Sequence, residues 1–145
     1  MSAFVLDASV VIKWFVPEVH SEAARRLLSL PHEYAAPDLL FAETANIVWK
    51  KIRRGELTPE HGQRLVADIA GPRGIAIDRV PSRLLAEDAH ALANATGRTV
   101  YDSLYLALAV RLGTRMITAD ERFATAIAAF PIAAAHIALV QTFEP

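Results

Sequence analysis

Two aspartates flank a strongly apolar segment within Thr99 to Phe123, TVYDSLYLALAVRLGTRMITADERF. Nearly every position from Tyr101 to Leu112 is apolar, and a helix that is apolar on all sides is usually buried. Asp102 therefore begins a predicted core helix. Asp120 follows Arg115 to Thr118, a short apolar run typical of a buried strand. Residues just beyond the carboxyl ends of strands line the ligand crevice of α/β sheets, so these carboxylates are the first candidates for chemistry.

Both aspartates also have a purely local interpretation. The pairs Thr99-x-x-Asp102 and Thr118-x-x-Glu121 have the form of capping boxes, and acids in a first helical turn are favoured by the helix dipole. Taken alone, each aspartate is explained equally well as a helix-start residue. The other acidic residues of the chain have to decide between the two interpretations.

A third aspartate has a similar setting near the start of the chain. Asp7 ends the apolar run Phe4 to Leu6, which predicts a buried strand, and precedes a helix predicted over Ala8 to Val16. Aspartate is a preferred N-cap residue, so capping is the better explanation of Asp7 taken alone, although its place after a strand keeps a site role open. Ser9 lies close enough in sequence to bond Asp7 or a metal-bound water.

The helix predicted over Leu39 to Arg54 carries a glutamate on its apolar stripe. Glu43 has Leu39 and Leu40 one turn before it and Ile47 one turn after it, with no Lys or Arg three or four residues away. Burying an unpaired carboxylate is expensive, so such a group is normally neutralised, paired or bound to a metal. A functional role is therefore the better explanation of Glu43.

The end of the same helix is basic. Cations at a helix C-terminus complement the helix dipole, and this is the simpler explanation of the cluster. A cluster of this kind is also what a nucleic-acid groove requires, so RNA binding is a secondary hypothesis. The candidate RNA-binding residues are Lys50, Lys51, Arg53 and Arg54.

Short apolar runs alternate with helical segments along the whole chain. Strands are predicted at 4–6, 34–36, 75–80, 115–118 and 137–140. Further helices are predicted at 20–30, 59–70 and 83–95, the last of them capped by Ser82. This alternation predicts an α/β fold with a parallel sheet and helices on both faces. Residues 1–145 are expected to form one domain.

Composition limits the classes of protein. Hydrophobic residues make up 53% of the chain and charged residues 21%, which argues against disorder and indicates a partner or dimer surface beyond the core. The net charge of -1 gives no global basic field for nucleic acid. The absence of cysteine excludes disulfides and thiolate metal sites. No signal peptide or membrane span is predicted, so we expect a cytoplasmic protein that does not enter the membrane.

Carboxylates gathered at one end of such a sheet would form a cluster of hard oxygen ligands. Without Cys or paired His, this donor set suits Mg²⁺ or Mn²⁺ and disfavours zinc. Like charges so close cannot all stay ionised without a cation between them. Sites of this type activate water and stabilise displacement at phosphorus. The predicted chemistry is phosphodiester hydrolysis.

Three segments resemble the PIN-domain nucleases and, among them, the VapC-type toxins of bacterial toxin–antitoxin pairs. They are FVLDASVVIKW, APDLLFAETANIVWK and TVYDSLYLALAVRLGTRMITADERF, and together they span essentially the whole chain in the family's order. The resemblance implies a PIN-like three-layer fold with about five parallel strands. The acids that it implies as catalytic and Mg²⁺- or Mn²⁺-binding residues are Asp7, Glu43, Asp102 and Asp120. The supporting hydroxyls that it implies are Ser9 and Thr118.

The same resemblance implies an activity and partners. It points to a metal-dependent endoribonuclease toxin that cuts cellular RNA, forms a homodimer and is neutralised by a cognate antitoxin. Two alternatives stay open: a phospho-acceptor receiver-like signalling domain and a catalytically silent PIN-like binding scaffold. A receiver needs a lysine after its last aspartate-bearing strand. The lysines of this chain are Lys13, Lys50 and Lys51, and none of them lies in that region, which disfavours a receiver.

Overall fold

The computed structural model describes residues 3–145, so Met1 and Ser2 of the predicted domain lie outside the described residues. It contains a sheet of five strands, all paired in parallel. The strands are β1 (Ala3–Leu6), β2 (Glu33–Pro37), β3 (Asp78–Val80), β4 (Met116–Thr118) and β5 (Ile137–Leu139). Their order across the sheet is β3-β2-β1-β4-β5, which places β1 at the centre. The predicted five-stranded parallel sheet is therefore confirmed.

Helices connect the strands and fall into two groups. They are α1 (Ala8–Phe15), α2 (Ser21–Arg26), α3 (Leu39–Arg53), α4 (Pro59–Ala70), α5 (Ala86–Thr96), α6 (Val100–Leu112), α7 (Glu121–Ile127) and α8 (Pro131–Ala134). Helix α1 contacts α2 and α3, and α3 contacts α4, whereas α5 packs on α6. Right-handed connections place the helices after β1 and β2 on one face of the sheet and those after β3 and β4 on the other. Of the helices in residues 3–145, none has both the length and the apolar character needed to cross a membrane.

Helix α6 is the buried helix that the sequence predicts. Every residue from Ser103 to Ala109 is buried, and the helix contacts β1, β2 and β4 as well as α5. Thr99 caps its start by accepting a hydrogen bond from the backbone N–H of Asp102 at 3.1 Å. Gly113 ends it with a φ of 65°, a left-handed conformation that glycine adopts without strain. These contacts hold Asp102 in the first turn of a largely buried helix.

The pairing of the two central strands sets up the site. Leu6 of β1 is in register with Ile117 of β4, so the next residues along, Asp7 and Thr118, are neighbours at the carboxyl edge of the sheet. The backbone N–H of Asp7 continues the ladder by donating to the carbonyl of Ile117 at 3.3 Å. Residues far apart in sequence therefore meet at the central crevice of the sheet.

The strand predicted over 75–80 is shorter in the structure. Strand β3 begins at Asp78, because the backbone N–H of Ile77 donates to the carbonyl of Ile75 at 2.9 Å and turns the chain before the sheet. The side chain of Ile77 is nevertheless buried in the core. The apolar pattern predicted the burial of Ile77 correctly, but the buried residue does not belong to a strand.

The start of α5 also differs from the prediction. Ser82 begins a short 3₁₀ turn, and α5 starts at Ala86 rather than at Arg83. The hydroxyl and the backbone N–H of Ser82 donate to Asp38 at 2.5 and 2.9 Å. Ser82 therefore ties the end of β3 to the start of α3 instead of capping α5.

Candidate active site

The carboxylate of Asp7 is held by two hydroxyl groups. Ser9 Oγ donates to Oδ1 and Thr118 Oγ1 donates to Oδ2, both at 2.5 Å. Oδ1 also accepts from the backbone N–H of Val10 at 3.3 Å, so Asp7 is the N-cap of α1 as well. Capping therefore does not exclude a site role for this side chain. Ser9 and Thr118, the two hydroxyls that the resemblance implies, both contact Asp7.

The charge of Asp7 is costly in this setting. Burial raises its pKa from 3.8 to about 6, although the hydrogen bonds from Ser9 and Thr118 oppose the shift. The negative charge of Glu43 raises the pKa further. A buried carboxylate with a raised pKa gains stability from a nearby cation, which offsets the loss of solvation.

Glu43 lies half-buried on α3 and faces residues of α6. Burial raises its pKa, the charge of Asp102 adds to this effect, and the adjacent hydroxyl of Tyr105 opposes it. The Tyr105 hydroxyl is itself buried and makes no well-formed hydrogen bond within residues 3–145. Glu43 is thus an unpaired carboxylate on an apolar stripe, as its sequence position predicts.

Asp102 is half-buried at the start of α6, next to the other acids. Burial raises its pKa, and the charge of Asp120 raises it further. The Thr99 hydroxyl and the positive charge of Arg98 act in the opposite direction. The guanidinium of Arg98 lies over the ring of Phe123, with 5.9 Å between Cζ and the ring centroid. A cation therefore already stands on one side of this carboxylate.

Asp120 is the most exposed of the four acids and caps α7. Its Oδ1 accepts from the backbone N–H of Phe123 at 3.1 Å, and its own N–H donates to Thr118 Oγ1 at 3.1 Å. The capping box predicted from Thr118 and Glu121 is wrong, because Asp120 is the N-cap and the Thr118 hydroxyl proton is directed to Asp7.

The structure brings the four predicted acids into electrostatic contact. Glu43 acts on Asp7, Asp102 on Glu43, and Asp120 on Asp102. Within residues 3–145, no group of three or more His, Cys, Asp or Glu side chains is arranged to hold a metal ion as it stands. The donor set still fits a hard divalent cation, because three of the carboxylates have raised pKa values and Glu43 has no cationic partner. A like charge nearby disfavours the ionised form of a carboxylate, so acids placed this close favour a cation among them.

The structure separates one of the four basic residues at the end of α3 from the other three. Lys51 donates to Glu18 at 2.7 Å, and the guanidinium of Arg53 lies 5.4 Å from the ring centroid of Trp49. Lys50, Lys51 and Arg54 line a cavity of about 420 Å³ that also borders Ser9 and Asp120, whereas Arg53 is not part of its lining. Three of the four predicted residues therefore share one surface.

Sequence reasoning assigned no role to three polar residues beside the site. Lys13 is buried and donates to Glu18 at 2.9 Å, so one carboxylate binds lysines from α1 and α3. Tyr105 places a buried hydroxyl beside Glu43. The sequence signal for Tyr105 was a polar hydroxyl one turn after Asp102 in an otherwise apolar helix. The Lys51–Glu18 contact joins residues 33 apart and has no local signal.

Comparisons with known proteins match the chain to one family. A model of the PIN domain matches residues 4–128. Ribonuclease VapC3 of Pyrobaculum aerophilum is 36% identical over 121 residues, which cover 83% of this chain and 91% of that protein. Ribonuclease VapC46 of Mycobacterium tuberculosis is 34% identical over 125 residues, covering 84% of this chain and 88% of that protein. A toxin–antitoxin complex from Klebsiella pneumoniae has the same fold, with a TM-score of 0.60 at 14% identity, over 98% of this chain and 99% of that chain.

The fold and the edge on which the acids meet define a PIN-like α/β protein, as the three segments indicate. The family model covers most of the chain, and both relatives exceed 30% identity over most of their own length. The chain belongs to the PIN-domain family, within its VapC group.

Proposed function

We propose that this protein is a metal-dependent endoribonuclease toxin that hydrolyses phosphodiester bonds of cellular RNA. The observation that carries the proposal is the electrostatic coupling of Asp7, Glu43, Asp102 and Asp120 at the carboxyl edge of the sheet. The two relatives that bear the name ribonuclease support the same activity. A receiver-like signalling domain is disfavoured by membership of the PIN-domain family.

The four acids are the proposed ligands of Mg²⁺ or Mn²⁺. A divalent cation bound there would supply Lewis-acid activation of the phosphodiester and of the attacking water. The chain's own contribution is to fix the carboxylates. The Ser9 and Thr118 hydroxyls orient both oxygens of Asp7, and the capped first turn of α6 holds Asp102. No histidine is needed as a base in this scheme.

The test is RNA cleavage by purified protein freed of any partner. A mixed cellular RNA pool is incubated in Mg²⁺, in Mn²⁺ and in EDTA, with Asp102→Asn beside the wild type. Asp88→Asn is the matched control, because Asp88 is exposed on α5 and contacts none of the four acids. We expect discrete metal-dependent fragments with 5′-phosphate ends from the wild type and from Asp88→Asn only.

Two results would contradict the proposal. Cleavage by Asp102→Asn at the wild-type rate would place the chemistry elsewhere. A folded wild-type protein that binds RNA but cuts nothing in either metal would favour the catalytically silent scaffold.

The proposed partners are RNA, a cognate antitoxin and a second copy of the chain. The structural neighbour from Klebsiella pneumoniae is a toxin–antitoxin complex, which supports the antitoxin. The homodimer is supported by large exposed apolar side chains around α6. These are Leu84, Val100, Tyr101, Val110 and Leu112. Sedimentation of the wild type and of Tyr101→Ser tests the dimer, and we expect the variant to dissociate more readily.

A further inference from the structure

A cavity of about 420 Å³ adjoins Asp120, one of the four acids, and Ser9, which donates to Asp7. Ser9 and Asp120 line it at the acid end, and the remaining walls come from α1, the segment after α1, and α3. A ligand in this cavity is therefore in direct contact with the candidate active site.

One face of α3 connects the acids to two cations. Glu43, Ile47, Lys50 and Arg54 follow one another at intervals of three or four residues, so they lie along a single helical stripe. At 1.5 Å per residue, Lys50 lies roughly 10 Å and Arg54 roughly 16 Å along the helix axis from Glu43. The stripe thus runs from Glu43, a candidate metal ligand, to Lys50 and Arg54, whose positive charges line the cavity.

The positive charges of the cavity differ in their availability. Lys13 and Lys51 share the carboxylate of Glu18 at 2.9 and 2.7 Å, and Lys51 also lies 3.9 Å from Glu56. Lys50 and Arg54 are exposed, and their side chains have no ion pair or hydrogen bond within residues 3–145. Lys50 and Arg54 are therefore free to bind an anion, whereas the charges of Lys13, Lys51 and Glu18 in the same cavity are already paired.

The helix dipole alone does not explain this arrangement. Any cation in the last turn of α3 complements the dipole, and Arg53 does so while its guanidinium stacks on Trp49 outside the cavity. Lys50 and Arg54 are the members of the cluster that combine free charge with a position in the cavity.

We infer that Lys50 and Arg54 form a phosphate subsite for the RNA backbone next to the scissile phosphodiester. The inference rests on the proposed function and adds to it the path of the substrate. Arginine binds phosphate through two parallel hydrogen bonds, and lysine binds it as a point charge. The paired trio of Lys13, Glu18 and Lys51 holds the wall of the cavity in place.

A backbone phosphate fits the cavity better than an acidic segment of a protein does. Ser9 and Asp120 line the cavity, so a phosphate bound there lies next to the acids at which the strand would be cut. Grooves that bind single strands track the backbone with positive charge and need no base recognition. Binding of an acidic protein segment in the cavity is the alternative that the experiments below test.

The first experiment measures binding of a labelled single-stranded RNA to the full chain made inactive by Asp102→Asn. Lys50→Gln with Arg54→Gln is compared with the control pair Arg25→Gln and Arg64→Gln, which removes equal charge at exposed positions outside the cavity. We expect the Kd to rise about tenfold for the first pair. The slope of log K against log salt should fall by about 1.4. The control pair should change the Kd by less than about twofold, and thermal melting verifies that both variants fold.

The second experiment separates this inference from the proposed function. In the active protein, we expect the first pair to raise the KM for RNA cleavage with little change in kcat. Metal-dependent hydrolysis of bis(p-nitrophenyl) phosphate by the wild type reports the acid site alone, since this diester has no flanking phosphate. If the two pairs of variants bind RNA alike while the wild type hydrolyses the diester, the subsite is wrong and the proposed function stands. If the wild type acts on neither RNA nor the diester, the proposed function fails.

A polyglutamate peptide completes the test. Loss of peptide binding by Lys50→Gln with Arg54→Gln, with RNA binding unchanged, would assign the cavity to an acidic protein segment and overturn the inference.

Discussion

Thr118 of β4 donates a 2.5 Å hydrogen bond to Asp7, the residue that follows the central strand β1. The same hydroxyl accepts from the backbone N–H of Asp120 at 3.1 Å. Thr118 is fully buried, so both bonds are shielded from water. One threonine therefore contacts two candidate metal ligands that follow different strands, Asp7 after β1 and Asp120 after β4.

Replacing Thr118 by Val should destabilise the protein by about 1–3 kcal/mol, because a buried carboxylate and a backbone N–H lose their partner while the shape is kept. Thr118→Ser keeps the hydroxyl and loses a methyl group, at a cost of about 1 kcal/mol. Urea unfolding in EDTA measures both. A smaller loss for Val than for Ser would mean that packing, not the hydrogen bonds, holds this position.

The stability of the metal-free protein should fall as the pH rises through the pKa of Asp7. The folded-state pKa of about 6 exceeds the ordinary value of 3.8, so the folded state binds the proton more tightly than the unfolded state does. The stability that this proton contributes is lost as the pH rises from about 4 to about 6. The total effect is as much as about 3 kcal/mol. Asp7→Asn carries no such charge, so its stability relative to the wild type should rise between pH 4 and pH 8. Urea titrations across this range in EDTA check it, and a constant difference would contradict the raised pKa.

Two buried tyrosines should respond differently to loss of their hydroxyl groups. Tyr34 donates to the carbonyl of Leu27 at 2.6 Å, whereas the Tyr105 hydroxyl has no well-formed partner within residues 3–145. We expect Tyr34→Phe to cost about 1–3 kcal/mol and Tyr105→Phe to leave the free energy of unfolding unchanged or higher. A loss above about 1 kcal/mol for Tyr105→Phe would show that its hydroxyl binds Glu43 in solution.

Glu18 should stabilise the fold at neutral pH and cease to do so in acid. Burial alone would raise its pKa, but Lys51 and Lys13 outweigh this effect and hold the pKa below the ordinary value of 4.5. A lowered carboxyl pKa contributes stability above the unfolded-state value, which is lost as the pH falls through the folded-state value. We expect Glu18→Gln to cost about 1–2 kcal/mol at pH 7 and much less below pH 4.

The matched control for Glu18 is Glu33→Gln. Glu33 is exposed at the start of β2 and forms no salt bridge within residues 3–145. Chemical unfolding of both variants at pH 7 and pH 4 makes the comparison. Equal losses for the two variants would show that the two lysines add nothing at Glu18.

Added Mn²⁺ should stabilise the wild-type protein, because an ion that binds only the folded state shifts the unfolding equilibrium. At a concentration of about 100 Kd the gain is roughly 2.7 kcal/mol. We expect the rise in Tm in the wild type and in Asp88→Asn, its absence in Asp102→Asn, and its reversal by EDTA. The same rise in Asp102→Asn would place the bound ion away from the four acids.

The sequence was informative where local pattern and tertiary role coincide. The unbroken apolar run of α6 predicted its burial, and acids after short apolar runs predicted Asp7 and Asp120 at the carboxyl edge of the sheet. Glu43 was visible because an unpaired carboxylate on an apolar stripe has few structural explanations.

The sequence was misleading where a distant residue decides. Ser82 has the type of a helix cap, but Asp38, 44 residues away, binds it. The apolar segment at Ile75 and Ile77 packs into the core without joining the sheet. The pairing of Lys51 with Glu18 withdraws one lysine from a basic cluster that looks uniform in sequence.

The hydrogen bond between Thr118 and Asp7 spans 111 residues, and this span has a consequence during synthesis. Asp7 and Glu43 leave the ribosome early, whereas Asp102, Thr118 and Asp120 leave it late. A nascent chain carries an incomplete set of acids until β4 has emerged and paired with β1. The four acids therefore cannot meet until most of the chain has been synthesised.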